Sequence, residues 1–490
     1  MRLFLAALEF DRATEIGRGV IGFLKNYGQT TVWTELAREV ADALPAGTVE
    51  KLRWMGVEGD GLRALGFTGR ALERYRAWAE AIERLVTQEP DRSDYRRDLS
   101  VSYEKMGDLL RALGQGETAR QFYQKDLEIA ERLATQEPDR ADYQRDLSVS
   151  YERMGDLLGA LGQGEAARRL YQKSLEIRER LAAQEPDRAD YLRDLSVSYG
   201  KMGDLLGALG QGEAARRLYQ KSLEIRERLA AQEPERADYL RDLSVSYNKV
   251  GDLLRALGQG EAARQSYQKA LEIAERLAAQ EPERADYLHD LCASYQRMGD
   301  LLGALGQGEA ARQFYQKVLD ILERLAAQEP DRADYLRDLC ASYGRMGDLL
   351  GALGQGETAR QFYQKMLEIA ERLVAQEPER ADYLHDLCAS YQRMGDLLGA
   401  LGQGEAAREF YQKMLAIAER LAAQEPDRAD YAVDLAKSLA RTGERASLGR
   451  ALAVLTGLAE SGRLSPSDQR VLQALRELLR RLDEPTDAEE

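Results

Sequence analysis

The sequence predicts an all-α fold, an α-α solenoid of stacked helical hairpins, and three observations carry that expectation. First, Pro90, Pro138, Pro186, Pro234, Pro282, Pro330, Pro378 and Pro426 recur at a constant step of 48 residues, framing seven near-identical repeats between Asp91 and Pro426. Second, the apolar residues within a repeat recur at steps of three and four, the spacing of a helical stripe and not of a strand. Third, glycine and proline stand where two helices of such a repeat would end.

The repeat is clearest from Asp187 to Pro234, DRADYLRDLSVSYGKMGDLLGALGQGEAARRLYQKSLEIRERLAAQEP. Its first helix is expected from about Tyr191 to Leu209, with Tyr191, Leu195, Tyr199, Met202, Leu205, Leu206 and Leu209 on the apolar stripe. Gly210-Gln211-Gly212 ends it, because glycine tolerates the left-handed conformation of a helix terminus. The second helix is expected from about Glu213 to Ala231, with Ala215, Leu218, Tyr219, Leu223, Ile225 and Leu229 inward, and Gln232-Glu233-Pro234 closes it. Asp187 and Asp190 then place negative charge at the start of a helix, where the backbone dipole favours it.

The run Tyr199-x-x-Met202-Gly203-x-x-Leu206, followed by Gly210, Ala215 and Tyr219, resembles the core pattern of the tetratricopeptide repeat. Gly203 and Ala215 let two helices approach, and Tyr199, Leu206 and Tyr219 fill the space beside them. The departure is length: 48 residues against about 34 in the usual repeat, enough to extend both helices. The resemblance implies a right-handed superhelix whose first helices line a concave groove. It also implies a protein-binding adaptor, of a kind found in bacterial signalling or defence systems.

Around the seven repeats (91–426) the pattern fades on both sides. Residues 1–42 are expected to form an N-terminal helical cap of two helices, from about Leu5 to Tyr27 and from Thr31 to Leu44. Ile16, Val20, Phe23 and Leu24 mark the apolar face of the first, and Trp33, Leu36 and Val40 that of the second. Residues 43–90 read as a degenerate repeat, matching at Gly59, Asp60, Arg63, Leu65, Gly66, Ala71, Tyr75 and Pro90. Trp33, Trp54 and Trp78 all lie in this region, where packing in an irregular cap is a better account than a docking surface. After Pro426 a degenerate repeat and capping helices fill 427–482, with helices near Leu448–Ser461 and Pro466–Leu482 and Ser465 as the N-cap of the last. Residues 483–490 form an acidic tail, expected to be disordered.

A net charge of −15 disfavours nucleic acid and anionic membrane surfaces, both of which select for basic patches. No apolar run reaches the length of a membrane span, and the apolar core of MRLFLAALEF is too short for a signal peptide. Cys292, Cys340 and Cys388 fall at one position of three successive repeats, too far apart for an unstrained disulfide if the repeats stack at helix-packing distance. They replace Ser196 and its equivalents as small, half-buried side chains, and a reducing cytoplasm is the expected location.

No catalytic constellation and no cofactor site is expected. The two histidines, His289 and His385, stand two repeats apart, and each has only one cysteine three residues on, a weak basis for metal binding. The run from Gly207 to Gly212 lacks the spacing of a phosphate loop.

The informative signal is where the copies differ. One first-helix position reads Glu104, Glu152, Gly200, Asn248, Gln296, Gly344, Gln392; seven residues earlier stand Arg97, Arg145, Arg193, Arg241, His289, Arg337, His385. An unedited aspartate runs through the same stripe: Asp108, Asp156, Asp204, Asp252, Asp300, Asp348, Asp396. Steps of four and seven share one helix face, so this is expected to be a stripe outside the core. Either it receives a polypeptide of basic or mixed charge, or its aspartates pair with neighbouring Arg or Lys and set the register of stacking. A second edited patch lies on the other helix. Phe122, Leu170, Leu218, Ser266, Phe314, Phe362 and Phe410 share one position, and Asp126, Ser174, Ser222, Ala270, Val318, Met366 and Met414 another. Arg178 and Arg226 give way there to Ala274, Leu322, Ala370 and Ala418. That patch is either tighter packing in the later repeats or an apolar strip for a partner. The function expected is a protein-interaction scaffold, with self-assembly into an oligomer or filament as the alternative.

Overall fold

The structure, a computed structural model, describes residues 10–26, 29–424 and 428–483. Every regular element among them is an α-helix, and consecutive helices pack as antiparallel neighbours joined by short turns, which makes the fold an all-α solenoid. The contacts cluster into two halves, Met1–Ile273 and Ala274–Glu490.

In the repeat that begins at Asp187 the helices are Ala189–Ala208 and Gly212–Gln232, within two residues of the ends expected from the sequence. The turn between them has a simple cause. Gly210 sits at φ 75°, its N–H donates to the Gly207 carbonyl at 3.0 Å, and the Gln211 N–H donates to Leu206 at 2.8 Å. This pair of bonds satisfies carbonyls that the helix end would otherwise leave open, and only glycine reaches that φ without steric cost. At the other end Glu233 caps the second helix ahead of Pro234. Arg236, the residue before the next helix, pairs with Asp238 in its first turn and lies over the Tyr239 ring at 4.0 Å.

The two helices of a hairpin meet at Gly203. A Cβ there would stand 2.8 Å from Cε1 of Tyr219, so the ring rests directly on the glycine backbone. The same contact recurs between Gly107 and Tyr123 in the N-terminal half, and between Gly299 and Tyr315 in the C-terminal half. Tyr191, Leu195, Tyr199, Met202, Leu206, Ala215, Leu223 and Leu229 are buried around it, as expected. Leu209 is not: it lies 38% exposed, capping the Gly164 backbone of the preceding repeat.

At the N-terminus the helix Phe10–Asn26 packs on Thr30–Ala43, but not through the face expected. Ile16 and Val20 are exposed, and the inward stripe is Thr14, Gly17, Ile21 and Leu24. One residue along a helix is a rotation of about 100°, so a shift of the inward stripe by a single residue turns Ile16 and Val20 out and brings Gly17 and Ile21 in. The side chain of Phe23, and the stretches 1–9 and 27–28, lie outside what the structure describes. Trp33, Trp54 and Trp78 are all buried, with Trp78 resting on the backbone of Gly56, so the core account of the tryptophans holds. At the other end the helices Ala429–Arg441, Arg445–Glu460 and Pro466–Asp483 share a core of Val433, Leu439, Leu448, Leu455, Leu472 and Leu475. Ser465 Oγ accepts from the Asp468 N–H at 3.2 Å, the N-cap the sequence predicts. Pro426, Asp427 and the acidic tail from residue 484 lie outside the described residues.

Replacing Gly203 with leucine will force Tyr219 off its seat and destabilise the chain by about 1–3 kcal/mol. Gly207→Ala is the control: nothing lies within 4 Å of a Cβ there, so the better helix former will stabilise by up to about 1 kcal/mol. Urea unfolding of the two variants beside the wild type checks both signs.

Candidate functional site

The aspartate column is engaged on two sides. Tyr219 donates its hydroxyl to Asp204 Oδ1 at 2.6 Å, and Tyr171, Tyr315, Tyr363 and Tyr411 do the same to Asp156, Asp300, Asp348 and Asp396. Asp108 accepts from Tyr123 and Asp252 from Tyr267. The other oxygen meets a cation 45 residues on, one repeat later: Lys201 for Asp156 at 2.6 Å, Lys249 for Asp204, Arg345 for Asp300 at 3.1 Å, Arg393 for Asp348 at 3.2 Å and Arg441 for Asp396 at 3.4 Å. Burial comes first, and the carboxylate beside each phenol next, in pushing these tyrosines above their ordinary pKa. Exposure varies along the column. The side chains of Asp108 and Asp156 are 10% and 16% exposed, whereas those of Asp204, Asp348 and Asp396 are 48%, 48% and 45%.

Within each half the arginine column ties one repeat to the next. Arg97 donates to Asp146 at 2.5 Å and to Asp142 at 3.1 Å. Arg145 reaches Asp194 and Asp190, Arg193 reaches Asp242 and Asp238, and Arg337 reaches Asp386 and Asp382. His289 and His385 keep the geometry with looser contacts, 3.5 Å to Asp338 and 3.6 Å to Asp434. Arg241 occupies the same register position. Among the described residues no group of three or more His, Cys, Asp or Glu is placed to hold a metal ion.

One part of the stripe lies elsewhere than expected. Glu152 and Asn248 are buried, and Glu104, Gln296 and Gln392 are partly so. The reason is geometric: this position faces inward, opposite the edited positions of the second helix, and the two sets form one interior layer. Glu152 illustrates it. Arg178 Nη2 donates to Glu152 Oε2 at 3.1 Å, and Ser198 of the next repeat donates to Oε1 at 2.6 Å. The rest of the Arg178 guanidinium is held by Ser148 Oγ and the Asp194 carbonyl. One repeat earlier Ala130 replaces the arginine, and Asp126 lies buried beside Glu104 in a cavity of about 100 Å³. Ser100 donates to one oxygen of Asp126, and the other has no partner among the described residues. Burial, the largest effect, pushes the Asp126 carboxyl up to about 7.

The C-terminal half fills this layer with apolar groups. Val318, Leu322, Met366, Ala370, Met414 and Ala418 are buried, and Phe314, Phe362 and Phe410 tilt against Tyr295, Tyr343 and Tyr391 at about 6 Å between ring centres. The second edited patch is thus packing between helices and not an exposed strip. The cysteines belong to the same layer: Cys340 Sγ donates to the Met366 carbonyl at 3.4 Å, and burial pushes all three thiols up to about 12. They are unreactive small side chains in serine's place.

In the N-terminal half the stripe opens into a cleft of about 530 Å³, lined by Arg111, Asp156, Lys201, Asp204, Arg226 and Lys249 among others. Its floor is Gly200, above which a Cβ would meet only Lys249 Nζ, at 4.0 Å.

Two family models described as tetratricopeptide repeat match the sequence, one over residues 242–324 and the other over 147–185, 195–233, 339–378 and 387–425. No curated protein matches it. Among solved structures it is similar to BtubC (BKLC) from P. vanneervenii, with 20% identity and a TM-score of 0.42 over 53% of this chain and 92% of that one. A Podosopora anserina putative kinesin light chain with nearly identical TPR-like repeats aligns at 18% identity and a TM-score of 0.37, over 49% of this chain and 99% of that one. A Rap protein complexed with competence and sporulation factor aligns at 14% identity and a TM-score of 0.43, over 85% of this chain and 99% of that one. No helix among the described residues is long and apolar enough to cross a membrane.

The elevated Asp126 value fixes the sign of a pH effect. The folded chain keeps a proton that the unfolded chain releases near 3.9. This group's contribution to stability is therefore complete below that pH and is lost as pH rises through about 7. Asp126→Ser, the residue of the next two repeats, will melt increasingly above the wild type as pH goes from 5 to 8. Parallel melting curves across that range would contradict the assignment.

Proposed function

Because this chain belongs to the tetratricopeptide repeat family, we propose that it is an adaptor that holds a polypeptide of mixed or basic charge against the first helices of its repeats. The observation that carries this reading is the cleft of about 530 Å³, which brings Asp156 and Asp204 of the stripe together with Lys201 and Lys249. A solenoid offers such a face because each repeat buries its apolar stripe on its neighbours and leaves the remaining helix surface to vary. The half-exposed carboxylates of Asp204, Asp348 and Asp396, each with a cation of the next repeat at one side, supply acceptors for basic side chains. In the cell the adaptor would work in the cytoplasm, in a bacterial signalling or defence assembly.

The test separates charge from structure. Asp204→Asn, Asp348→Asn and Asp396→Asn together keep an oxygen for each tyrosine hydroxyl and remove three half-exposed charges. With helicity unchanged by circular dichroism, the triple variant will retain a polypeptide captured by the wild type at least about tenfold more weakly. Equal retention would move the binding surface off this stripe. Light scattering over a concentration series tests the other reading, since a mass that climbs with concentration would indicate self-assembly.

A further inference from the structure

Three consecutive repeats of the N-terminal half hold different fractions of one buried ion pair. The first has the acid, Glu104, with Ala130 where the arginine would be; the second has both, Glu152 and Arg178; the third has the arginine, Arg226, with Gly200 where the acid would be. Arg226 is 8% exposed. Its Nε donates to Ser196 Oγ at 3.0 Å and its Nη1 to the Asp242 carbonyl at 2.6 Å, the same two bonds that Arg178 makes to Ser148 and Asp194. Nη2, which in Arg178 holds Glu152, has no partner among the described residues. Ser246 repeats the pattern. It is the counterpart of Ser198, the second donor to Glu152, and it lies buried in the cleft wall with its hydroxyl unpartnered among the described residues.

Two donors that grip a carboxylate in one repeat are therefore present in the next with the carboxylate removed, and the space above Gly200 is open to the cleft. The charges around that space favour an anion. Arg111, Lys201, Arg226 and Lys249 line it against two carboxylates, Asp156 and Asp204, each of which already holds a tyrosine hydroxyl and a lysine. A buried guanidinium binds a carboxylate more strongly than a surface cation does, because little water competes for it.

We propose that the cleft over Gly200 is a carboxylate-binding site, in which Arg226 Nη2 and the Ser246 hydroxyl hold an incoming acid as Arg178 and Ser198 hold Glu152. The inference rests on the reading that this face receives a ligand, and it makes an acidic group part of what the ligand must present. A glutamate side chain of a bound polypeptide and a free small acid share this chemistry.

The experiment is calorimetric titration of the full chain with three probes: N-acetyl-Ala-Glu-Ala-amide, its glutamine counterpart, and glutarate. Gly200→Glu and Arg226→Ala serve as variants, each checked for unchanged helicity by circular dichroism; both introduce a residue that the chain already carries at the equivalent position of other repeats, glutamate at 104 and 152 and alanine at 130 and 370. The wild type will bind the glutamate peptide at least about tenfold more tightly than the glutamine peptide, and both variants will lose that preference. Gly200→Glu will also melt above the wild type with no ligand present, its own carboxylate occupying the site. Binding of the peptide assigns the site to a polypeptide side chain, and binding of glutarate alone assigns it to a free acid. Failure of the wild type to bind either the glutamate peptide or glutarate, or binding undiminished in both variants, overturns the proposal. If the probes fail while a polypeptide is still captured, the adaptor reading stands without this site; if the probes bind and nothing is captured, the reverse holds.

Discussion

Asp204 accepts the hydroxyl of Tyr219 from its own hairpin and the ammonium of Lys249 from the next, and one carboxylate thereby couples the closing of a repeat to its stacking. The geometry has little slack. Tyr219 reaches Asp204 only by lying across Gly203, where any side chain would lift the ring. A hairpin that has not closed cannot present its aspartate to the following repeat in the right place. Tyr199 adds a link in the other direction, donating to Glu179 of the preceding repeat at 2.6 Å. Individually such surface-edge pairs contribute little, about 0–1 kcal/mol, but their repetition from repeat to repeat within each half makes nearest-neighbour coupling the organising energy there.

Inside that frame the two halves differ in what fills the layer between helices. Met366, Met414, Val318 and Leu322 fill that layer of the C-terminal half with apolar side chains beside the half-buried Gln296 and Gln392. The N-terminal half buries Glu152 with Arg178, an arrangement whose desolvation cost is offset by full hydrogen bonding of both partners. Arg226 lacks that compensation from the protein, and burial accordingly lowers its pKa below the ordinary arginine value.

Much of this was legible in the sequence. Steps of three and four placed the helices because an apolar stripe must face its neighbour, and Gly210 and Pro234 placed their ends because few residues can do what they do. The aspartate column was visible as an invariant among varying neighbours, although its tyrosine partner, 15 residues on, was read only as core. The burial of Glu152 escaped because hydropathy marks a charged residue as outward, and its partner Arg178 stands 26 residues away on the other helix. The coincidence that Arg178 and Arg226 occupy a position held elsewhere by alanine or leucine was the available signal. Ile16 and Val20 are the opposite case: they are apolar, yet exposed, while Thr14 and Gly17, which hydropathy does not mark as core, lie on the buried face with Ile21.

The links between repeats carry one further implication, for how such a gene can change. Arg145 binds Asp194 and would meet Asp242 in the identical place if residues 187–234 were deleted, and Ser246 would replace Ser198 against Glu152. The joints recognise a position in the period and not a particular neighbour. Loss or duplication of that 48-residue segment by slippage at the DNA level therefore leaves these joints satisfied, whereas an insertion of any other length breaks the register at once. The length of the array is free to drift in whole repeats, and individual edits such as Gly200 are what distinguish one repeat from the next.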